Sequence, residues 1–509
     1  MAIDVLIGQS YFLRFDPTLW AAQRPYPPLG ALYAAACVRE AGHRVALFDA
    51  MLAESEAEWT RALDAHRPRV AVLFEDSFNY LSKMCLLRMR EAALTMIRAA
   101  CARKVVVVIA GSDATDHPAS YLDAGAFAVI AGEGELTLVD VIDRIERGET
   151  DLRDVPGVVV RHDGELRRTS ARPIVRDLDG LPRPAWDLVD IDRYRAVWTA
   201  RHGHFSLNIA TTRGCPFHCN WCAKPIYGQR YTARRPDAVA DEVAWVRAAY
   251  GPDHLWITDD IFGLKPGWVS SYADALEARG AVVPFKCLMR ADNVTADVAA
   301  ALRRAGCRTV WIGAESGSQR ILDAMEKGTR VEQIEAATQV LRSEGIEVCF
   351  FLQFGYPGET LVEIEQTLDM VRRCEPDDIG VSVSYPLPGT PFFERVRAQL
   401  GEKQHWVDSA DLDMMYRAEY APEFYRALHS LVHARFRLQR GMRAVRRALR
   451  GSRPDLVAMR AAVAAFVRRP LLERRVRRLA TRRASASAAP ALVPLLTPQA
   501  ASVPSEQHP

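Results

Sequence analysis

The sequence predicts an α/β protein made of two successive parallel-sheet units followed by a helical region. Three observations predict this. Short apolar runs alternate with helix-like segments through residues 1–150. The same rhythm resumes near Ser206 for six strand–helix units, and it stops after about residue 400. The first unit reads as a doubly wound domain and the second as a partial (β/α)6 barrel. A chain of 509 residues has room for about two to four domains.

In the first unit the strand candidates are DVLIGQ, HRVALFDA, RVAVLFED, KVVVVIAGSD and AFAVIAGEGE. LGALYAAACVREAG and LTLVDVIDRIERG carry helical spacing and end at glycine. Strand ends at Gly8-Gln9, Glu75-Asp76-Ser77, Gly111-Ser112-Asp113 and Gly132-Glu133-Gly134 are polar or glycine-containing. Ligands of open α/β sheets bind at such carboxyl ends.

Residues 151–200 read as a linker with a hairpin at Asp163-Gly164 and a Pro-rich connector. Residues 201–400 form the barrel, with strands SLNIATTRG, HLWITDD, FKCLMR, TVWIGAES, EVCFFLQFG and DIGVSVSYP. Chemistry in a β/α barrel sits at strand carboxyl ends. Residues 401–483 read as a helical Arg-rich region, and the Ala/Pro/Ser-rich 484–509 as a disordered tail.

The net charge of +3 excludes no partner class by itself. No stretch has the length and apolarity of a membrane span, and MAIDVLIGQSYF lacks the basic region of a secretory signal, so the expected location is cytoplasmic. Ten cysteines in such a chain do not suggest a disulfide framework. Seven are scattered among apolar neighbours and read as small buried hydrophobes.

The other three are clustered. TTRGCPFHCNWC places Cys215, Cys219 and Cys222 in C-x3-C-x2-C spacing, in the first strand-end loop of the barrel. Iron–sulfur clusters are usually held by four thiolates, so three leave one iron open to a small molecule. Structural zinc closes with a fourth Cys or His. His218 and His204 are nearby without a standard finger spacing, so spacing favours a cluster and leaves zinc as its competitor.

RGCPFHCNWC resembles the C-x3-C-x-Φ-C loop of radical S-adenosylmethionine (SAM) enzymes, with Trp221 as Φ. WIGAESGSQRILDAMEKGTRVEQI, FGYPGET and YPLPGTP are similar to later segments of that superfamily. YPPLGALYAAACVREAGHRVALFDA and VIAGEGELTL resemble the flavodoxin-like cobalamin (B12)-binding domain of its B12-dependent class. The resemblance covers most of the chain.

The resemblance implies that Cys215, Cys219 and Cys222 ligate a 4Fe–4S cluster whose fourth iron takes the SAM amine and carboxylate. Cleavage of SAM would then give a 5′-deoxyadenosyl radical that abstracts hydrogen from an unactivated carbon. It further implies polar contacts to SAM or substrate from Trp221, Asp259 and Asp260, although Thr258-Asp259-Asp260 departs from the Gly-Gly-Glu motif frequent there. Arg290 is expected to pair with the SAM carboxylate, and Glu315 and Ser316 to lie near its ribose and carboxylate. Gly355, with Pro357 and Gly358, would shape the adenine loop. Ser77, Gly111, Ser112, Gly132 and Glu133 would line the cobalamin site. The D-x-H-x-x-G motif, whose His binds cobalt, is absent, since Asp116 and His117 are adjacent.

The implied function is a cobalamin-dependent radical SAM methyltransferase acting on an unactivated carbon of a small molecule. An electron donor such as flavodoxin or ferredoxin would serve it. The alternatives are an oxidative cyclase or rearrangement enzyme with the same cofactors, and a redox-sensing iron–sulfur protein. From Arg435 to Arg483 the charge is almost all arginine, opposed by Asp455 and Glu473 alone. That region reads as a solvated helical face or as a contact with an anionic membrane surface; without an aromatic stacking motif, no nucleic acid is expected.

Overall fold

A computed structural model describes residues 3–481 apart from 225 and 452. The expected disordered tail and the last residues of the Arg-rich region lie outside the described residues.

The first sheet contains β1 (Val5–Gly8), β2 (Val45–Phe48), β3 (Val70–Phe74), β4 (Val106–Ala110), β5 (Ala128–Ile130), β6 (Val158–His162) and β7 (Glu165–Arg168). Their order is β2-β1-β3-β4-β5-β6-β7. The first five are parallel, and nearly every residue in them is buried, as a sheet covered by helices on both faces requires. β6 and β7 are antiparallel. Their hairpin turns at Asp163 and Gly164, both at positive φ (+51° and +80°), the twist a two-residue hairpin needs.

This hairpin corrects the linker assignment for 151–200. Val158 and Val159 pair with Ile130 and Val129, so β6 extends the first sheet. The remainder of that segment is also packed. Helix Ile191–His202 buries Tyr194 and Trp198. The Trp198 indole donates to Pro25 O (2.7 Å) and the Tyr194 hydroxyl to Asp49 Oδ2 (2.5 Å).

The second sheet follows from β8 (Ser206–Ile209). A small ladder of β9 (Thr212–Arg213) and β10 (Thr232–Ala233) comes next, and then β11 (His254–Ile257), β12 (Phe285–Met289), β13 (Cys307–Glu315), β14 (Glu347–Phe354) and β15 (Asp378–Val383). The large sheet is wholly parallel in the order β15-β14-β13-β12-β11-β8. It is the expected partial (β/α)6 barrel, and its edge strands β8 and β15 do not pair.

The carboxyl edges of the two sheets meet. Ser77, after β3, shares a hydrogen bond of 2.9 Å with Tyr227. Lys83 pairs with Asp260, after β11, at 2.5 Å. One hydrophobic cluster runs from Tyr11, Leu29 and Tyr33 of the first unit through the barrel to the C-terminal helix Pro422–Leu449. That helix packs against a second, Leu456–Ala480.

Candidate active site

The cysteine loop leaves and re-enters the barrel through the β9–β10 ladder, where Thr232 and Ala233 pair with Arg213 and Thr212. Gly214 makes the exit feasible: its φ is +77°, and a Cβ there would stand 2.4 Å from Arg230 O. Cys219 is buried, while Cys215 and Cys222 are half-buried. Asn220, fully buried, anchors the loop with every polar group it owns. Its backbone N–H donates to Met325 O (3.0 Å) and its carbonyl accepts from Phe392 N (2.9 Å). Its side chain donates to Ala324 O (2.8 Å) and accepts from the Tyr356 hydroxyl (2.9 Å). These contacts tie the thiols to segments beyond β13, β14 and β15. Sequence reasoning missed Asn220, although it sits inside the motif. Asn220→Ala removes about two buried hydrogen bonds; the variant is expected to fold and to lose iron faster than wild type when a reconstituted sample is challenged with a chelator.

His218 is exposed, and His204 stacks in a group with Trp198, His202 and His254. Neither is placed to close a zinc site on the three thiols. Burial pushes the Cys215 thiol up and that of Cys222 up to about 12, with Lys224 acting in the opposite direction. A bound metal centre would supply the positive charge that turns such thiols into thiolates. The indole N–H of Trp221, beside them, is buried without a partner, so the donor set fits a cluster with a polar ligand next to it.

Glu315 ends β13 at φ +58°, an unusual left-handed position for a non-glycine residue, where the register with β14 shifts. Its carboxylate accepts from Lys327 Nζ (2.9 Å), both side chains being nearly buried. A Cβ at Gly313 would meet both groups at 2.8 Å, so this glycine makes room for the pair. Lys327 lies 5.9 Å from the Trp221 ring. Arg290 also reaches the loop: its guanidinium stacks 3.6 Å from the Phe217 ring, and Nη1 donates to Lys327 O (2.8 Å) and lies 4.0 Å from Cys219 Sγ. Its fork is already held by Asp292 at 3.0 and 2.9 Å, so Arg290 does not present a free bidentate face as expected. Tyr80, half exposed, extends from the first unit, and its hydroxyl is pushed up by the surrounding protein and then by Tyr385, Cys222 and Glu315.

Several expected ligand residues are engaged in structure. Asp259 accepts from Thr211 N (2.7 Å), the Thr211 hydroxyl and Thr212 N (3.0 Å), so it fixes the turn before the cysteine loop; burial raises its pKa to about 6. Asp260 pairs with Lys83 across the two units. Ser316 is fully buried between Ser318 N and the Thr367 hydroxyl, which ties β13 to helix Leu361–Cys374. Asp259 and Ser316 are satisfied by their own chain, which only the tertiary contact reveals; Asp260 has one oxygen engaged and stays 31% exposed.

Gly355, after β14, is at φ +83° and packs on Met414 and Tyr425, where a Cβ would come within 2.8 and 3.1 Å. Its N–H donates to Glu359 Oε2 (2.5 Å), while Glu359 Oε1 is buried without a partner. Burial raises the Glu359 pKa from 4.5 to about 8. The folded state therefore holds a proton that the unfolded state releases, and this contribution is complete below about pH 4.5 and lost as pH rises to about 8. Glu359→Gln keeps an acceptor for Gly355 and is expected to flatten that part of the stability–pH curve, by up to about 1.4 kcal/mol per pH unit. Denaturant unfolding across the window checks it.

At the carboxyl edge of the first sheet, Ser77 faces Tyr227 and Gly132 (φ +89°) approaches Ile226 O of the cysteine loop. Gly111 lies against Glu75, where a Cβ would be 2.8 Å from the Glu75 side chain. Glu133 departs from expectation: it accepts from Arg213 Nη1 (2.5 Å) and Val175 N (2.6 Å). Arg213 also pairs with Glu135 at 2.8 Å, and Tyr33, Phe78 and Tyr227 surround it. Glu133 thus joins the two units. Gln9 Nε2 and the hydroxyls of Ser10, Ser82 and Ser112 are buried without partners near this edge. Ser10, Ser82 and Ser112 share one small cavity with Glu75 and Asp113. The shared cavity, about 10 Å³, is the size of a water; these orphaned polar groups lie at the carboxyl edge of the first sheet, where ligands of open α/β sheets bind.

Two family descriptions coincide with these two units. Residues 209–371 match the Radical SAM superfamily, from the end of β8 to helix Leu361–Cys374, and residues 20–142 match the B12 binding domain. The chain belongs to the radical SAM superfamily and carries a B12-binding domain. This radical SAM chain is 27% identical over 371 residues to an uncharacterised methyltransferase of Pyrococcus horikoshii, across 72% of the chain and 78% of that protein. It is 27% identical over 325 residues to the anaerobic magnesium-protoporphyrin IX monomethyl ester cyclase of Synechocystis, covering 63% of each. Among solved structures, the cobalamin-dependent SAM radical enzyme OxsB, with aqua-cobalamin and SAM bound, superposes with a TM-score of 0.70. The match covers 92% of this chain and 72% of that one at 16% identity, a likeness of fold. A 4Fe–4S cluster, SAM and cobalamin are the cofactors of such a protein.

Proposed function

We propose that this protein is a radical SAM methyltransferase that moves a methyl group from SAM, by way of cobalamin, to an unactivated carbon of a small molecule. The observation that carries this reading is the meeting of two carboxyl edges: three thiols with no fourth protein ligand among the described residues on one side, and orphaned polar groups on the other. The bound cofactors would supply the electron, the radical and the methyl carrier.

The chain's own contribution is position. Cys215, Cys219 and Cys222 hold the cluster, and Asn220 holds their loop. Trp221 presents an unpartnered N–H beside it, next to the Glu315–Lys327 ion pair. Arg290, fixed by Asp292, braces Cys219 and Phe217. The buried Arg213 node joins the first unit to the cysteine loop, and the half-exposed Tyr80 extends from the first unit. The electron donor is a small reductant of the flavodoxin or ferredoxin kind.

The cyclase-like relative gives the second reading a concrete form. Anaerobically reconstituted protein supplied with methyl-labelled SAM and dithionite is expected to accumulate S-adenosylhomocysteine only when cobalamin is present. Formation of 5′-deoxyadenosine alone, with the label still on methionine, would replace methyl transfer with radical cyclisation or rearrangement.

A further inference from the structure

Helix Leu456–Ala480 reverses the usual amphipathic arrangement. It buries its small residues Ala458, Ala462 and Ala465 against helix Pro422–Leu449. The crossing is close enough that a Cβ on Gly441 would overlap Ala462. Its large apolar residues point outward. Val463, Val467 and Leu471 are 67%, 67% and 66% exposed, and Phe466 is 62% exposed. Leu456 continues the strip at the start of the helix, and Leu449, at the end of the preceding helix, is also exposed. At 100° per residue, Leu456, Val463, Val467 and Leu471 share one face. A helix packed on a water-facing surface shows polar residues there, and contiguous exposed apolar surface marks an interaction site.

Arginine surrounds the strip. Residues 435–481 hold 15 arginines against two acids, Asp455 and Glu473. Both acids are taken: Asp455 caps the second helix, and Glu473 pairs with Arg435 and Arg469. Arg443 and Arg446 are held at the end of helix Leu361–Cys374, through Glu375 O and Glu375 Oε1. Arg450, Arg453, Arg460, Arg468, Arg474 and Arg475 have no carboxylate partner among the described residues.

We propose that this hairpin lies on an anionic phospholipid membrane, with the outward face of Leu456–Ala480 set into the lipid headgroup boundary. Apolar side chains flanked by unpaired arginine fit that surface, since the chains enter the hydrocarbon edge and the guanidinium groups meet lipid phosphate. A second copy of the chain would bring the unpaired arginines of one against those of the other. A nucleic acid would set its phosphates on Val463, Phe466 and Val467. Among the described residues no helix is long and apolar enough to cross a membrane, so the contact is peripheral.

Full-length protein is expected to cosediment with vesicles of phosphatidylcholine and phosphatidylglycerol, weakly or not at all with phosphatidylcholine alone, and less as salt rises. Phe466→Glu with Val467→Glu, both on exposed positions, is expected to reduce this binding by about tenfold or more while circular dichroism and thermal midpoint stay unchanged. Arg474→Gln with Arg475→Gln is expected to weaken it and reduce its salt dependence. Three results would overturn the proposal: no cosedimentation of the wild type, equal binding by the glutamate variant, or a vesicle-free dimer in sedimentation equilibrium that the glutamate substitutions dissolve. Binding to duplex DNA in place of anionic vesicles would overturn it too.

Discussion

Arg213→Met is expected to destabilise the protein by about 3–5 kcal/mol and to loosen the two units from each other. Arg213, Glu133 and Glu135 have side chains only 5%, 5% and 3% exposed, so the guanidinium alone offsets two buried carboxylates. Removing it leaves both without a counter-charge in a low-dielectric site. The change also removes the cation held among Tyr33, Phe78 and Tyr227. Denaturant unfolding would show the loss, and limited proteolysis should cut near residues 170–180 in the variant before the wild type. Arg213→Met with Glu133→Gln and Glu135→Gln should recover most of the stability, because the cost is that of stranded charge. Failure of that rescue would mean that packing against the aromatic groups matters more than charge.

Cys219→Ala is expected to abolish cluster binding with little change in fold. Cys219 is the buried member of the three and sits where Arg290 and the Asn220 anchor converge. Its loss leaves two thiolates, too few to hold a cluster against solvent and chelator. Iron and sulfide after anaerobic reconstitution and desalting should fall to background, and SAM cleavage with them. The thermal midpoint of the iron-free protein should shift little, since the loop is held by the four polar contacts of Asn220 and by the β9–β10 ladder.

The fold was largely legible because its signal is periodic. Apolar, β-branched runs such as RVAVLFED and EVCFFLQFG, alternating with amphipathic helices, read as buried parallel strands. The Asp163-Gly164 turn was visible for a local reason, as was the three-cysteine spacing. What the sequence hid was which polar residues are free. Glu133, Asp259 and Ser316 look like ligands at strand ends, yet each is saturated by a residue 42–80, 47–48 or 2–51 positions away. Asp292, two residues from Arg290, occupies the fork that a carboxylate ligand was expected to take. Lys327 emerged as the partner of Glu315 only once the helix Gln319–Ala324 folded it back over β13. The hairpin at 158–168 was assigned to a linker because antiparallel strands are easily read as a separate element; its valines instead pair with the edge of the first sheet. The arginine-rich region was legible as charge. That its second helix turns large apolar side chains outward followed only from the close crossing at Gly441 and Ala462.

The account rests on three thiols holding a cluster with one iron open to SAM. Electron paramagnetic resonance of the dithionite-reduced, reconstituted protein tests this most directly. The account predicts the signal of a reduced 4Fe–4S cluster that changes on addition of SAM, with 5′-deoxyadenosine formed on warming. A fully loaded cluster whose spectrum is indifferent to SAM, and which yields no 5′-deoxyadenosine, would contradict it.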